Sequence, residues 1–414
     1  MTRALTAQVP RSVPFARVDI VPAAQQAALQ ALRSGWITMG PQTCEFERDL
    51  AGYLGASHVV AVATCTAAIE IAVRALRLPP GAAVLTPSLT FCGAVAPILQ
   101  AGLRPVLVDV AAETLLPTPE SVAAAARRAG QPAAMIVQHM AGHPADVAML
   151  AAAAGLPASR VVEDAAHGLG AELAGTRVGG ASHAACFSFY ATKNLPIGEG
   201  GAIATDDAEL ADYARTMRLH GMSRDAWRRY QPGGSWRYDV AEPGLKANIT
   251  DIQAAIGRAQ LTCLPAWQAR RAQLAARYDD ALAGLPGLVL PSRPAAGQHA
   301  WHLYQVRVTP AFGSSRDDVI DALGGAGIGT SVHFIPVHQL AGYRRVLRPA
   351  EIRSVPVTDQ VAGQLLSLPM YPGLADADVD HVAAALAALA RHPAASDGAQ
   401  TRGGEVAEFV RHTA

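Results

Sequence analysis

The stretch from Ala185 to Thr205, ACFSFYATKNLPIGEGGAIAT, indicates most directly how this chain folds. It opens with a short run of aromatic and small apolar residues that is typical of a buried β-strand. A polar turn with one lysine, Lys193, follows, and a GEGG segment around Glu199 leads into a second apolar run. A lysine at a strand end among apolar residues can lose its hydration, which lowers its pKa and frees the amine for imine chemistry. An isolated lysine more often lies in a solvated surface turn, so the rest of the chain has to distinguish the two.

On both sides of this stretch, short apolar runs alternate with alanine-rich helical segments. The runs with the length and composition of strands are 58–64, 82–87, 104–110, 133–140, 160–165, 185–190 and 201–206. Most are continuous apolar runs bounded by helices, which is typical of a parallel sheet covered on both faces. The sequence therefore predicts an α/β domain with a mostly parallel seven-stranded sheet.

Other signals place helices and a second unit. Pro22 suits a first helical turn and Gly35 suits the position beyond a helix end, so we expect a helix over about 22–34 and a second one ending near Gly55. Thr250 is expected to cap a later helix. In the last third of the chain, strands are expected at 302–308 and 329–334, and helices at 315–327 and 378–391. The predicted division is a large domain at 14–262, a small C-terminal α+β domain at 263–392 and a polar tail at 393–414.

The composition limits the classes of binding partner and the cellular compartment that we expect for this protein. Hydrophobic residues make up 50% of the 414, and Lys+Arg and Asp+Glu are equal at 34. This balance argues against nucleic acid or an anionic membrane as the main partner. The five cysteines form no CxxC pair, the first residues lack a signal-peptide core, and no uncharged apolar run is long enough for a membrane span. We therefore expect a cytoplasmic protein with unpaired thiols and no metal site.

Chemically capable residues follow the predicted strands at their carboxyl ends, where open parallel sheets bind ligands. Cys65 and Thr66 begin a helix after the first strand, where N–H groups and hydroxyls suit a phosphate. Phe91 follows the second strand, Asp164 ends the fifth and Ser188 lies on the sixth. Taken singly, these residues have the ordinary explanations of a helix cap, core packing and a salt bridge.

Together with the lysine, the set matches the needs of pyridoxal 5′-phosphate. Lys193 would form the aldimine, Asp164 would keep the pyridine nitrogen protonated so that the ring acts as an electron sink, and Phe91 would cover one face of the ring. The set therefore favours a functional lysine over a surface turn.

The same residues lie in motifs that resemble the DegT/DnrJ/EryC1/StrS family of sugar aminotransferases, in the aspartate aminotransferase superfamily (PLP fold type I). The resemblance covers about residues 13–392. Its motifs include SGWITMGPQTCEFE, TCTAAIEIAVRAL, VVEDAAHGLGA, FSFYATKNLPIGEGG, GLKANITDIQAAIG and GTSVHFIPVH. It implies a three-layer α/β/α large domain, a smaller C-terminal α+β domain, and a homodimer with active sites at the subunit interface.

The resemblance also implies residue roles. Lys193 would be the Schiff-base lysine and proton carrier, and Asp164 the partner of the pyridine nitrogen. Related sugar dehydratases carry histidine in place of this lysine, so the lysine favours transamination. Lys246 stands where many members carry an asparagine that reaches the phosphate of the neighbouring subunit, and Asn248 where they carry arginine. The other implied cofactor contacts are Cys65, Thr66, Phe91, Ala166, His167 and Ser188.

Five further residues are candidates for substrate binding. His333 and His338, in HFIPVH, match a loop that lies over the substrate in the family, although turn histidines are the alternative. Arg228 and Arg229 belong to a basic and aromatic cluster that suits a nucleotide diphosphate, although a solvated loop is the alternative. Glu199 is a candidate because it lies in the turn after the lysine.

These observations predict an aminotransferase that moves the amino group of L-glutamate (or glutamine) to a keto-sugar nucleotide through a Lys193 internal aldimine. Pyridoxamine 5′-phosphate would be the cofactor form between the half-reactions, and an amino sugar nucleotide the product. Two alternatives stay open: a keto-cyclitol as the acceptor in aminocyclitol biosynthesis, and a non-catalytic regulatory protein that only binds the cofactor.

Overall fold

The computed structural model describes residues 11–222 and 239–391. Both predicted amino-terminal helices are confirmed, as α1 and α2. The helices are α1 Pro22–Arg33, α2 Pro41–Leu54, α3 Cys65–Ala75, α4 Cys92–Gln100, α5 Pro119–Ala129, α6 Val147–Ala154, α7 Ala208–Met217, α8 Asp251–Leu261, α9 Leu264–Leu282, α10 Arg316–Gly325, α11 Ala341–Arg344, α12 Pro349–Ile352, α13 Pro356–Ala362 and α14 Asp376–Arg391. The strands are β1 His58–Val62, β2 Ala83–Pro87, β3 Arg104–Val108, β4 Ala134–Gln138, β5 Val161–Asp164, β6 Glu172–Leu173, β7 Thr176–Arg177, β8 Ala185–Ser188, β9 Gly201–Thr205, β10 Leu288–Val289, β11 Gly297–Gln298, β12 Tyr304–Val308 and β13 Leu365–Leu368.

All seven runs predicted as strands join one sheet, in the order β1-β9-β8-β5-β4-β2-β3. β9 runs antiparallel to its neighbours β1 and β8, and the other pairs are parallel. Alternate residues of β1 enter different cores, because Val60 and Val62 pack with α3 while Val59 and Ala61 pack with Phe46 of α2. Helices therefore cover both faces, and the predicted mostly parallel, three-layer α/β domain is confirmed.

The turns at the carboxyl edge of the sheet are closely packed. Thr64 follows β1, and its hydroxyl accepts a hydrogen bond from Ala67 N at 3.1 Å, which caps α3. Gly201 of β9 passes so close to this turn that a Cβ atom there would lie 2.4 Å from the carbonyl carbon of Thr64. Glycine at this position therefore lets β9 lie directly beside the start of α3.

Helix α8 packs against α1 and α2, and one buried carboxylate joins it to α2. Asp251, the first residue of α8, accepts hydrogen bonds from the N–H groups of Gly40 (2.7 Å), Gln42 and Thr43 (3.0 Å each) and from Thr43 Oγ1 (2.7 Å). The residue before α2 supplies no side-chain cap, so Asp251 satisfies the free N–H groups of that helix end. Thr250 caps α8 itself, as predicted.

A second core forms around α9, α10, α14 and the antiparallel sheet β10-β12-β13. Tyr278 and Tyr304 stack inside it with their ring centroids 4.7 Å apart. Helix α9 connects the two cores, because Leu264 packs with the large sheet and Leu274 packs in the second core. The predicted boundary between residues 262 and 263 stays a prediction.

The strand predicted at 329–334 is wrong. This segment makes a single bridge to β13, between Ser331 and Ser367. Its first residue is held instead by the amino-terminal segment, because Gly329 N donates to Val13 O at 2.8 Å. The backbone hydrogen bonds of this segment are therefore divided between two neighbours, and it does not extend the sheet.

The cysteines and the helices bear on the expected compartment and metal content. All five cysteines are unpaired, as predicted. Among the helices of residues 11–222 and 239–391, none combines the length and the apolar character needed to cross a membrane. The same residues contain no group of three or more His, Cys, Asp or Glu side chains placed to hold a metal ion.

Candidate active site

A cavity of about 400 Å³ opens where the parallel strands end, and residues of the carboxyl-terminal core complete its wall. This volume suits a small cofactor with part of a substrate. We refer to the cavity as the strand-end pocket. The predicted residues that line it are Cys65, Thr66, Phe91, Asp164, Ala166, His167, Ser188, Lys193, Glu199 and His333.

Lys193 lies in the turn after β8, where its backbone N donates to Tyr190 O at 2.9 Å. The side chain is half-buried and lines the pocket. Burial lowers the pKa of its amine from 10.5 to about 8, while Asp164 and Cys65 oppose the shift. An amine with this pKa is partly neutral near pH 7, so it can act as a nucleophile and can also carry a proton.

Asp164 ends β5 and is buried, with 4% of its surface exposed. Its Oδ1 accepts a hydrogen bond from Ala166 N at 3.1 Å. Burial raises the pKa of this carboxyl, and the Ala166 N–H, Lys193 and His139 partly offset the rise. A positive partner would stabilise the ionised form of this buried carboxylate, and a protonated ring nitrogen in the pocket would supply one.

A buried histidine–glutamate pair adjoins Asp164 in the sheet. His139 Nε2 lies 3.0 Å from Glu163 Oε2. His139 Nδ1 accepts a hydrogen bond from Ala145 N at 3.1 Å, so the ring proton lies on Nε2 and is donated to Glu163. These contacts give His139 a structural role without a metal.

A helix N-terminus and two hydroxyl groups face the pocket together. Thr66 lies in the first turn of α3, and Ser188 ends β8. Cys65 turns its sulfur towards Cys186 O, at 3.2 Å, so only its backbone N–H is available to an anion. A Cβ atom at Gly93 would lie 2.6 Å from Thr66 Oγ1, so glycine there leaves room for this hydroxyl. This arrangement suits a phosphate.

His167 presents a neutral ring to the pocket. Its Nδ1 accepts a hydrogen bond from Ala141 N at 3.2 Å, so the ring proton lies on Nε2. Burial lowers the pKa of the ring well below its usual value, and Lys193 and His333 add to the effect. The ring therefore offers one fixed N–H donor, which suits an oxygen of a bound ligand.

Sequence reasoning missed several residues that complete the pocket wall. They include Phe15, Gln138, Tyr190, Thr192, His302, Phe334 and Met370. Several come from the amino-terminal segment or the carboxyl-terminal core, which sequence order does not connect to the strand ends. His302 is the one with a signal in the sequence, because it is an ionisable residue between apolar neighbours in WHLY.

Two of the described residues predicted for the site, Lys246 and His338, are not brought to the pocket. Lys246 is exposed and donates to Asn248 Oδ1. His338 is buried, with Nδ1 2.6 Å from Ser88 Oγ and Nε2 2.7 Å from Asp359 Oδ1. Both of its ring nitrogens make hydrogen bonds within the protein, so this histidine stabilises the loop to which it belongs. The predicted substrate residues Arg228 and Arg229 lie outside the described residues.

The pocket fits pyridoxal 5′-phosphate group by group. Lys193 suits the aldehyde, Asp164 the ring nitrogen, the start of α3 with its hydroxyls the phosphate, and His167 the ring hydroxyl. A model of the DegT/DnrJ/EryC1/StrS aminotransferase family matches residues 18–387. The chain belongs to this family. The predictions of the family, of an enzyme and of pyridoxal 5′-phosphate as its cofactor are confirmed.

Individual relatives agree with this membership. The chain is 41% identical to the spore coat polysaccharide biosynthesis protein SpsC of Bacillus subtilis over 86% of this chain and 92% of SpsC. The putative sugar aminotransferase Spr1654 from Streptococcus pneumoniae, solved in its PLP form, superposes with a TM-score of 0.83 at 29% identity, covering 92% and 99% of the two chains. DesV of S. venezuelae superposes with a TM-score of 0.81 at 34% identity, covering 92% and 98%. These folds confirm the predicted PLP fold type I.

Proposed function

We propose that this aminotransferase transfers the amino group of L-glutamate, or of glutamine, to a keto-sugar nucleotide. The observation that carries the proposal is the half-buried amine of Lys193, placed with the buried carboxylate of Asp164 in one pocket at the strand ends. The similarity to the polysaccharide biosynthesis protein SpsC and to Spr1654, described as a putative sugar aminotransferase, supports a sugar as the acceptor. The product would be an amino sugar nucleotide.

Lys193 is proposed to carry the cofactor covalently and to move the proton of the reaction. When bound, the cofactor supplies an electron sink that stabilises negative charge on the carbon next to the amino group. Because the pKa of Lys193 is lowered to about 8, its Nζ can take up and return a proton near neutral pH.

The surrounding side chains are proposed to bind and orient the cofactor. Asp164 would hold the ring nitrogen in its protonated form, since burial disfavours an unpaired carboxylate there. Thr66, Ser188 and the N–H groups at the start of α3 would bind the phosphate. Phe91, which is 57% exposed, would cover one face of the ring.

Two residues remain candidates for the substrate side. Glu199 lines the pocket, and Gln253 Nε2 holds its backbone carbonyl at 2.8 Å. His333 lines it too, with Nδ1 2.9 Å from Ser367 Oγ and its ring 5.6 Å from that of Phe15. Burial lowers the pKa of His333 to about 4, so we expect it to meet the substrate as a neutral ring.

We further propose that two copies of the chain share their sites. Phe91, Tyr190 and Ile335 are 57%, 47% and 59% exposed, and the first two line the pocket. A second copy would shield this apolar surface from water. The exposed Lys246 would then reach the phosphate in the partner's pocket. Light scattering of the loaded protein tests the dimer, and weaker phosphate binding in Lys246→Met tests the contact.

A substrate panel tests the acceptor. The enzyme is first converted to its amino form with L-glutamate, and keto-sugar nucleotides and free keto-cyclitols are then offered separately. Return of the original cofactor spectrum with a keto-sugar nucleotide is the expected result. Return with keto-cyclitols alone would contradict the proposed acceptor, and failure of glutamate and glutamine to change the spectrum would contradict the donor.

A further inference from the structure

Next to Lys193 lies a histidine that the proposed function does not use. His302 is buried, with 5% of its surface exposed, and its Nε2 is 3.4 Å from Lys193 Nζ. It belongs to the short segment between β11 and β12 and lines the same pocket as the lysine. Its other ring nitrogen, Nδ1, lies 3.2 Å from Asn194 Oδ1.

The protein determines which nitrogen of this ring carries the proton. Asn194 Nδ2 donates to two backbone carbonyls, Leu169 O at 3.2 Å and Ala300 O at 2.9 Å. The amide orientation is therefore fixed, and its oxygen must face His302. Because an amide oxygen only accepts, His302 Nδ1 carries the proton and donates it. The lone pair of a neutral ring then lies on Nε2, facing Lys193.

The ring is kept neutral and in place by its surroundings. Burial lowers the pKa of His302 well below its usual value, and the nearby positive groups reinforce the effect. Arg271 fixes the backbone of the segment, because its Nη1 donates to Trp301 O and to Met370 O at 3.0 Å each. The ionisable groups that face His302 are Lys193 from the turn after β8, His167 from the turn after β5, Arg271 from α9 and His333 from the segment before α11.

We propose that His302 is a positioning residue for Lys193, whose amine donates a hydrogen bond to the bare Nε2 of a ring held in one tautomer by Asn194. The hydrogen bond fixes the direction of the amine and stabilises its protonated form, which opposes the effect of burial. Its meaning for catalysis depends on the proposed role of Lys193. The contact itself can be tested in cofactor-free protein.

The two lysines of the chain, Lys193 and Lys246, make a direct titration feasible. Protein labelled with 13C at the lysine ε carbon gives one signal for each, and Lys246→Arg assigns them. In cofactor-free protein, we expect His302→Leu to lower the pKa of Lys193 by about one unit, because a hydrogen bond to the charged amine is lost. His302→Gln should keep the wild-type value, since its amide can donate to Asn194 and still turn its oxygen to the amine.

His143→Gln is the matched control, because it removes another buried histidine that lies in a separate cavity. It should leave the titration of Lys193 unchanged. An unchanged pKa in His302→Leu, or equal shifts in His302→Leu and His302→Gln, would overturn the proposal. If His302→Leu does not fold, long-range 1H–15N spectra of the wild-type histidines decide, with His302→Gln used for assignment. A protonated Nε2 on His302 would overturn the proposal, and a protonated Nδ1 would support it.

These readouts use no cofactor and no turnover. A failure of this inference therefore leaves the attachment of the cofactor to Lys193 untested, and a failure of that attachment leaves the coupling between the histidine and the lysine measurable.

Discussion

Replacing the half-buried Lys193 should make the cofactor-free protein more stable while removing its proposed chemistry. The pKa of Lys193 falls from 10.5 to about 8 on folding, a difference of about 2.5 units. At about 1.4 kcal/mol per unit, burial of the charged amine costs roughly 3 kcal/mol at pH 7. Lys193 is only half-buried, so solvent screening reduces this cost, and we expect Lys193→Met to raise the free energy of unfolding by about 2 kcal/mol.

The sign of the pH dependence is a second part of this prediction. Between pH 8 and 10.5 the unfolded chain binds more protons at this lysine than the folded chain, so the wild-type protein gains stability as pH rises through that window. The advantage of Lys193→Met should therefore be largest below pH 8 and disappear towards pH 10.5.

Urea denaturation of cofactor-free protein at a fixed chain concentration measures both effects. Lys246→Met is the matched control, because this lysine is exposed and its replacement should leave the stability nearly unchanged. If Lys193→Met proves no more stable than the wild type at pH 7, or if the difference between them does not change with pH, the reasoning about burial is refuted.

Three other changes test the remaining parts of the account. Asp164→Asn should weaken cofactor binding at least tenfold, or by roughly 1.4 kcal/mol, because the ring nitrogen loses its charged partner. A fluorescence titration measures this affinity, and an unchanged value would contradict the proposed contact between Asp164 and the ring nitrogen. The rate at which cofactor-free protein captures pyridoxal 5′-phosphate should rise with pH through about 8 as Lys193 becomes neutral, and a rate independent of pH would contradict this. Asp251→Ala should lower the free energy of unfolding by roughly 3 kcal/mol because α2 loses its distant cap, and a loss under about 0.5 kcal/mol would show that water replaces it.

The large sheet could be predicted from the sequence because each strand is indicated by the residues of its own short segment. Most of its strands are continuous apolar runs bounded by helices, a pattern typical of strands that are buried on both faces of a parallel sheet. The strand-end rule then placed Thr66, Asp164, Ser188 and Lys193 in one pocket, because strands of one direction end at one edge.

Three features could not be predicted, because they depend on contacts between residues that are far apart in the sequence. A local sequence pattern carries no information about such contacts. From the sequence, Asp251 is an ordinary acidic residue in the first turn of α8. In the structure it caps α2, whose first residues lie about 210 positions earlier in the chain. The segment 329–334 has a strand composition, but Val13 takes up the backbone N–H of its first residue. His302 gains its proximity to Lys193 only when the second core folds against the sheet. These three features required the structure.

The most direct test of the central claim asks which amine carries the cofactor. Borohydride reduction of the loaded protein fixes a lysine-bound pyridoxyl group, and mass spectrometry of its peptides locates it. The chain offers only Lys193 and Lys246, so the outcome is unambiguous. We expect a single modified peptide containing Lys193, and none in Lys193→Ala. Modification at Lys246, or an unmodified chain, would contradict it.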